Sequence, residues 1–213
     1  MKKFILCAAI ISFVSCSFAQ SDKYTSAMKA NISMLDSMVP KNNAAELSNN
    51  FERIADAEKT QWLPYYYAAY CEAMQGYIEK DKSKKDAIAN KAQELIDKAE
   101  AITGKENSET DVVKAMIATI HMTVDPQSRY MTYGAAIGQN IEKAKALDPT
   151  NPRPVLVLAQ NTYYTPKEFR GGPEPAKPLL DEAKKLDEAF KPETELSPNW
   201  GKSSIEYFLS LYK

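Results

Sequence analysis

Apolar residues along this chain recur at intervals of three and four, the period of an amphipathic helix, and nowhere alternate over the stretch that a strand would need. Three segments carry the pattern in nearly the same words: Ile96-Asp97-Lys98-Ala99-Glu100-Ala101-Ile102, Ile141-Glu142-Lys143-Ala144-Lys145-Ala146-Leu147 and Leu180-Asp181-Glu182-Ala183-Lys184-Lys185-Leu186. A weaker fourth copy is Phe51, Ile54 and Ala57. The anchors Phe51, Ile96, Ile141 and Leu180 are 45, 45 and 39 residues apart. A recurring period in that range marks an array of helical units, each of which buries its apolar face by stacking on its neighbours.

The pattern predicts nine helices, near Lys23–Met38, Ala44–Glu58, Leu63–Glu79, Lys84–Ile102, Ser108–Val124, Arg129–Asp148, Arg153–Tyr163, Pro175–Phe190 and Gly201–Tyr212. The fourth is the clearest, with Ile88, Ala92, Leu95, Ile96, Ala99 and Ile102 on one stripe and Lys85, Asp86, Asn90, Glu94, Asp97 and Lys98 mostly outside it. The eighth repeats that plan with Ala176, Leu179, Leu180, Ala183, Leu186 and Phe190. Ser108, with Asp111 three residues on, marks the start of the fifth helix, and Gly104 is placed to cap the end of the fourth. Paired in order, the helices make four hairpins and a terminal helix.

At the turn Ala146-Leu147-Asp148-Pro149, followed by Asn151-Pro152-Arg153 and a fresh apolar helix, the chain resembles the junction between tetratricopeptide repeats. The resemblance is strongest over Met131–Phe190. The repeat period of that family is about 34 residues. The longer units here add roughly three helical turns, which preserves phase when placed within helices. The resemblance implies an all-α, right-handed superhelix of about four helical hairpins plus a terminal helix, irregular, with a period of 39–45. It also implies a concave groove that holds a peptide or protein segment.

The first residues read as an export leader. Lys2 and Lys3 precede an uncharged apolar run of eleven residues, Phe4–Val14. That run falls short of the about 20 residues needed to span a bilayer. Ser17-Phe18-Ala19 before Gln20 fits ordinary cleavage, which makes residues 1–19 a signal peptide and 20–213 one helical-repeat domain. Phe13-Val14-Ser15-Cys16 is the competing signal, a lipobox with Phe where Leu is usual, which would leave Cys16 lipid-anchored. Either route places the protein in the periplasm or cell envelope of a Gram-negative bacterium. No later segment predicts a transmembrane helix.

Beyond Ala19 a single cysteine remains, Cys71, so no internal disulfide forms and the fold relies on packing. Twenty-five basic side chains then face 28 acidic ones, interspersed, which leaves no basic stripe for nucleic acid. His121 is the only histidine. Without Cys/His ligands at metal spacing or a partner for a general base, it reads as structural, and no metal or cofactor is expected. No nucleophile elbow or phosphate loop is present, so the chain is expected not to be an enzyme.

The densest aromatic cluster runs Trp62-Leu63-Pro64-Tyr65-Tyr66-Tyr67, followed by Tyr70. Trp62, Tyr66 and Tyr70, with Tyr163 and Tyr164, are the candidate groove residues, since large amphipathic rings bury area at low entropic cost. Packing between helices is the competing assignment for all five. Gly134 and Gly138 suggest close approach of a neighbouring helix. The loop Thr165–Pro173, with Pro166 and Gly171-Gly172, resembles connectors of exported tetratricopeptide-like proteins, among them subunits that serve periplasmic solute transporters. Two functions stand: a scaffold that binds a protein or peptide partner in the groove, and a periplasmic small-molecule carrier that encloses its ligand between the third, fifth and seventh helices.

Overall fold

The structure, a computed structural model, describes residues 22–212. The expected leader 1–19, with Cys16, Ala19 and the following Gln20, lies outside the described residues. The chain is all-α. Its helices are α1 (Asp22–Ile32), α2 (Met38–Lys41), α3 (Ala44–Ala57), α4 (Trp62–Ile78), α5 (Lys82–Thr103), α6 (Ser108–Val124), α7 (Pro126–Arg129), α8 (Ala135–Leu147), α9 (Pro152–Tyr164), α10 (Pro173–Ala189) and α11 (Lys202–Ser210). Short 3₁₀ turns at Leu35–Ser37 and Lys167–Phe169 and a π-helical turn at Tyr130–Gly134 complete them.

The boundaries follow local chemistry. The first helix stops at Ile32 rather than Met38 because polar side chains capture backbone carbonyls: Asn31 donates to Ala27, Ser33 to Ala30 and Ser37 to Met34. Helix α6 is capped by Asn107, not by Ser108 and Asp111 as the pattern suggests. The Asn107 side chain accepts from the N–H groups of Glu109 and Thr110, and the Thr110 hydroxyl accepts from the Asn107 N–H. Ser108 instead donates to the Ala144 carbonyl on α8, which joins two helices. Gly104 ends α5 with φ +67°, the left-handed cap that glycine favours. The helix expected at Arg129–Asp148 begins earlier, at Pro126 after the Asp125 cap, and is interrupted by the π-helical turn before α8.

Each helix packs on its chain neighbour, α3 on α4, α4 on α5, α5 on α6, α6 on α8 and α9 on α10. Helix α6 also touches both α4 and α9, which places the three in one row with α6 in the middle. Helix α4 is buried almost all round, from Leu63 to Ala73. Helix α10 buries only the stripe Ala176, Leu180 and Ala183. The repeat anchors Phe51, Ile96, Ile141 and Leu180 are at most 1% exposed. The weak fourth copy departs from its register, since Ala55 is buried and Ala57 exposed. Lys85, read as solvated, is buried, and its ammonium donates to the Gly76 carbonyl near the end of α4 (2.7 Å). Gly138 is exposed with open space beside it, so no neighbouring helix approaches there.

After α10 the chain runs without helix from Phe190 to Gly201 and crosses back to the row of α4, α6 and α9. Leu196 and Trp200 are buried there. Glu195 pairs with Lys29 of α1 (2.6 Å), and Ser203 donates to Asp36 (2.9 Å). This strap joins the last part of the chain to the first.

Candidate functional site

Two of the five candidate groove residues lie in the interior. Tyr66 is 0% and Tyr70 5% exposed, because Trp200 of the strap covers both. Trp200 stacks on Tyr70 (4.3 Å between centroids), and its indole N–H donates to the Tyr66 hydroxyl (2.8 Å). Trp62 is half-buried, edge-on to Tyr66. Rings assigned to an open groove are therefore packing rings at this end of the row. The space between α4, α6 and α9 is occupied by the protein's own side chains.

Those side chains form one hydrogen-bonded chain. Tyr66 donates to Glu109 Oε2 (2.8 Å), and Glu109 accepts from Arg153 Nε at 2.8 and 2.9 Å to its two oxygens. Asn151 also donates to Glu109 (2.7 Å). Tyr66, Glu109 and Arg153 lie near the starts of α4, α6 and α9, at spacings of 43 and 44 residues, close to the repeat period. Burial, and then the Glu109 carboxylate, push the Tyr66 phenol well above its ordinary range, so it stays protonated and donates. The Arg153 guanidinium, 1% exposed, also lies against the Phe190 ring (4.5 Å). The network is a largely buried ionic joint, in which Arg153 bonds Glu109 through Nε and Nη2 while its Nη1 has no hydrogen-bond partner among the described residues.

The other two candidates lie on the surface. Tyr164, at the end of α9, is 71% exposed, and Tyr163 beside it is half-buried. Phe208 of α11 and Tyr212 just beyond it pack against them, and Tyr207 packs on Phe208. Ring centroids are 5.2 Å apart for Tyr163–Phe208, 5.8 Å for Tyr164–Phe208 and 5.4 Å for Tyr207–Phe208. Tyr207 is 58% exposed, and Leu211 one turn on is 45% exposed. The result is a surface of several aromatic rings, anchored by Phe208 and Tyr163 and open on the faces of Tyr164 and Tyr207. Burial and the neighbouring Tyr207 and Tyr163 phenols raise the Tyr164 phenol, so it is neutral at physiological pH. The α11 residues were not singled out from sequence, although Tyr207 and Leu211 are four apart on one helix face.

His121 is tied in place. Its Nδ1 bonds Asp86 (2.7 Å), its ring stacks on Tyr133 (4.9 Å), and Arg129 donates to both Asp86 and the His121 carbonyl. The Arg129 hydrogen bonds, with His121, hold the Asp86 carboxyl down at about 2. Cys71 is buried, and burial pushes its thiol up, which leaves it inert. A cleft of about 560 Å³ between α10 and α11 is walled by charges of both signs, including Lys184, Asp187, Lys202 and Glu206, over Phe190 and Ile205. The loop after α9 is ordered, with the Gly172 N–H bonded to the Thr162 carbonyl (2.8 Å). Among the described residues no helix is long and apolar enough to cross a membrane.

No protein-family model matches the chain, and no curated protein does. A solved structure does: the chain is similar to the HusA haemophore from Porphyromonas gingivalis. The two share 32% sequence identity with a TM-score of 0.77, over 91% of this chain and 94% of that one.

Proposed function

The chain belongs to the family of the HusA haemophore, and from that premise we propose that it is an exported haem-binding protein whose ligand docks on the aromatic surface of Tyr164 and Tyr207. The observation that carries this reading is the exposed ring cluster between α9 and α11. Haem is a broad, flat, largely apolar disc. Its faces match exposed aromatic rings held in place from behind, each ring contact contributing about 0.5–1.5 kcal/mol beyond area burial. Soluble proteins rarely leave such rings open without a ligand or partner to cover them.

The haemophore likeness favours a small ligand over a peptide. So do the side chains of Tyr66, Glu109, Arg153 and Trp200, which occupy the space between α4, α6 and α9 near the starts of those helices. No reaction is assigned: the site binds, and nothing in it pairs a nucleophile with a base. Export is supported by the leader pattern at residues 1–19, and the intact mass of the purified protein decides between cleavage after Ala19 and a lipid on Cys16.

The test is titration of haem followed by its Soret band. The double variant Tyr164→Ala with Tyr207→Ala is expected to bind haem at least tenfold more weakly than the wild type. Its thermal stability stays close to that of the parent, since both rings are exposed. Wild-type affinity in the double variant would remove haem from this surface.

A further inference from the structure

Glu100 in the last turn of α5, Glu106 in the connection and Asp111 in the first turn of α6 each bring a carboxylate oxygen within 4.8 Å of the others. One ammonium serves all three. Lys114 Nζ is 2.7 Å from Glu100, 3.2 Å from Glu106 and 3.9 Å from Asp111. Lys143 reaches in from α8 and pairs with Glu106 at 3.3 Å. Asp111 therefore receives the least. It is 0% exposed, and neither of its carboxylate oxygens accepts a hydrogen bond.

A buried carboxylate left this way is costly, and native interiors pair or coordinate such groups. Even with both ammoniums counted, three carboxylates retain one uncompensated negative charge. We infer that Glu100, Glu106 and Asp111 form a site for a hard divalent cation of the calcium class, with the Lys114 ammonium standing in for the metal. The donors are all oxygen, which suits calcium rather than zinc or copper. Oxygens about 2.3–2.6 Å from a calcium ion lie up to roughly 5 Å apart, which accommodates three oxygens within 4.8 Å of one another. Lys114 is 15% exposed at its side chain, and its flexible stem allows the ammonium to leave toward solvent when the ion enters.

The test uses the whole exported chain, stripped with a chelator and melted with and without Ca²⁺. At about 10 mM Ca²⁺ the melting temperature is expected to rise by roughly 5 °C, as for a site of submillimolar affinity in a chain of this size. Asp111→Asn abolishes the rise. Glu106→Gln, at an exposed position, weakens it and guards against misfolding of the buried variant. Lys114→Met supplies the readout that an ion-pair cluster would not give: its calcium-free form melts lower than wild type, and Ca²⁺ restores it at lower concentration than wild type needs. Absence of a Ca²⁺-dependent rise in the wild type, an equal rise in Asp111→Asn, or a Lys114→Met variant that Ca²⁺ does not rescue would each overturn the site.

Discussion

At the scale of single residues, stability concentrates in buried charges that join separate helices. Glu109 holds Arg153, Tyr66 and Asn151 at once. Replacing Glu109 with Gln leaves a guanidinium that is 1% exposed without its counter-charge. Loss of one partner of a buried pair typically costs about 3–5 kcal/mol, which urea denaturation of Glu109→Gln is expected to report. Asp86 predicts an acid dependence. Arg129 and His121 bring its pKa to about 2 in the folded chain, below the about 3.9 of an unfolded Asp. A depressed carboxyl stabilises the fold above the unfolded value and ceases to do so as pH falls through the folded one. That contribution is thus complete above about pH 4 and lost toward pH 2. Melting curves of Asp86→Asn should be flatter than wild type across that window, and parallel acid limbs would refute the pairing. Neither network was legible in advance, because a sequence shows charged residues on helices but not which of them a neighbouring unit will cover. The helical pattern places Lys85 outside the apolar stripe and Asp111 in a capping position, and both are buried.

At the scale of elements the sequence was far more informative. The stripes of α5 and α10 and the start of α6 at Ser108 are as the periodicity predicts, since a 3.6-residue period and a cap are local properties. The failures are local too: polar side chains that bond the backbone ended α1 early, and a π-helical turn at Tyr130–Gly134 interrupts the helix between α7 and α8. The cap of α6 shows how close such competitors stand, because Asn107 and Ser108 are both good N-cap residues and only the backbone chooses. Asn107 takes the extended cap conformation with φ −142° and ψ 165°, and its side chain reaches two N–H groups. Asn107→Ala is expected to cost about 1 kcal/mol and Asn107→Gly only a few tenths, measured by chemical denaturation. An equal loss in both would mean that side-chain packing, rather than the cap, holds that end of α6.

At the scale of the whole molecule, the strap separates this chain from an open array. In an open array each unit meets only its neighbours, so its interior row stays available to a ligand. Here Leu196 and Trp200 fill that space, and Glu195 and Ser203 reach back to Lys29 and Asp36. No period or motif encodes a contact 134 residues apart such as Trp200 to Tyr66, which is why the sequence leaves groove and packing both open for the aromatic cluster at Trp62–Tyr70, where Tyr66 and Tyr70 form the seat of the strap. The same contact separates the two places a haem could lie. Trp200→Ala removes the stacking on Tyr70 and the donor to Tyr66, and a buried Trp→Ala change costs about 3–5 kcal/mol. If the ligand docks on the surface of Tyr164 and Tyr207, Trp200→Ala lowers the unfolding midpoint but leaves haem affinity within about twofold of wild type at a temperature where both are folded. If the ligand instead enters between α4, α6 and α9 by displacing the strap, emptying the Trp200 seat removes the competitor and haem affinity rises. Soret titration of Trp200→Ala beside the Tyr164→Ala, Tyr207→Ala double variant therefore decides between surface and interior, because each location predicts a change in one variant and none in the other.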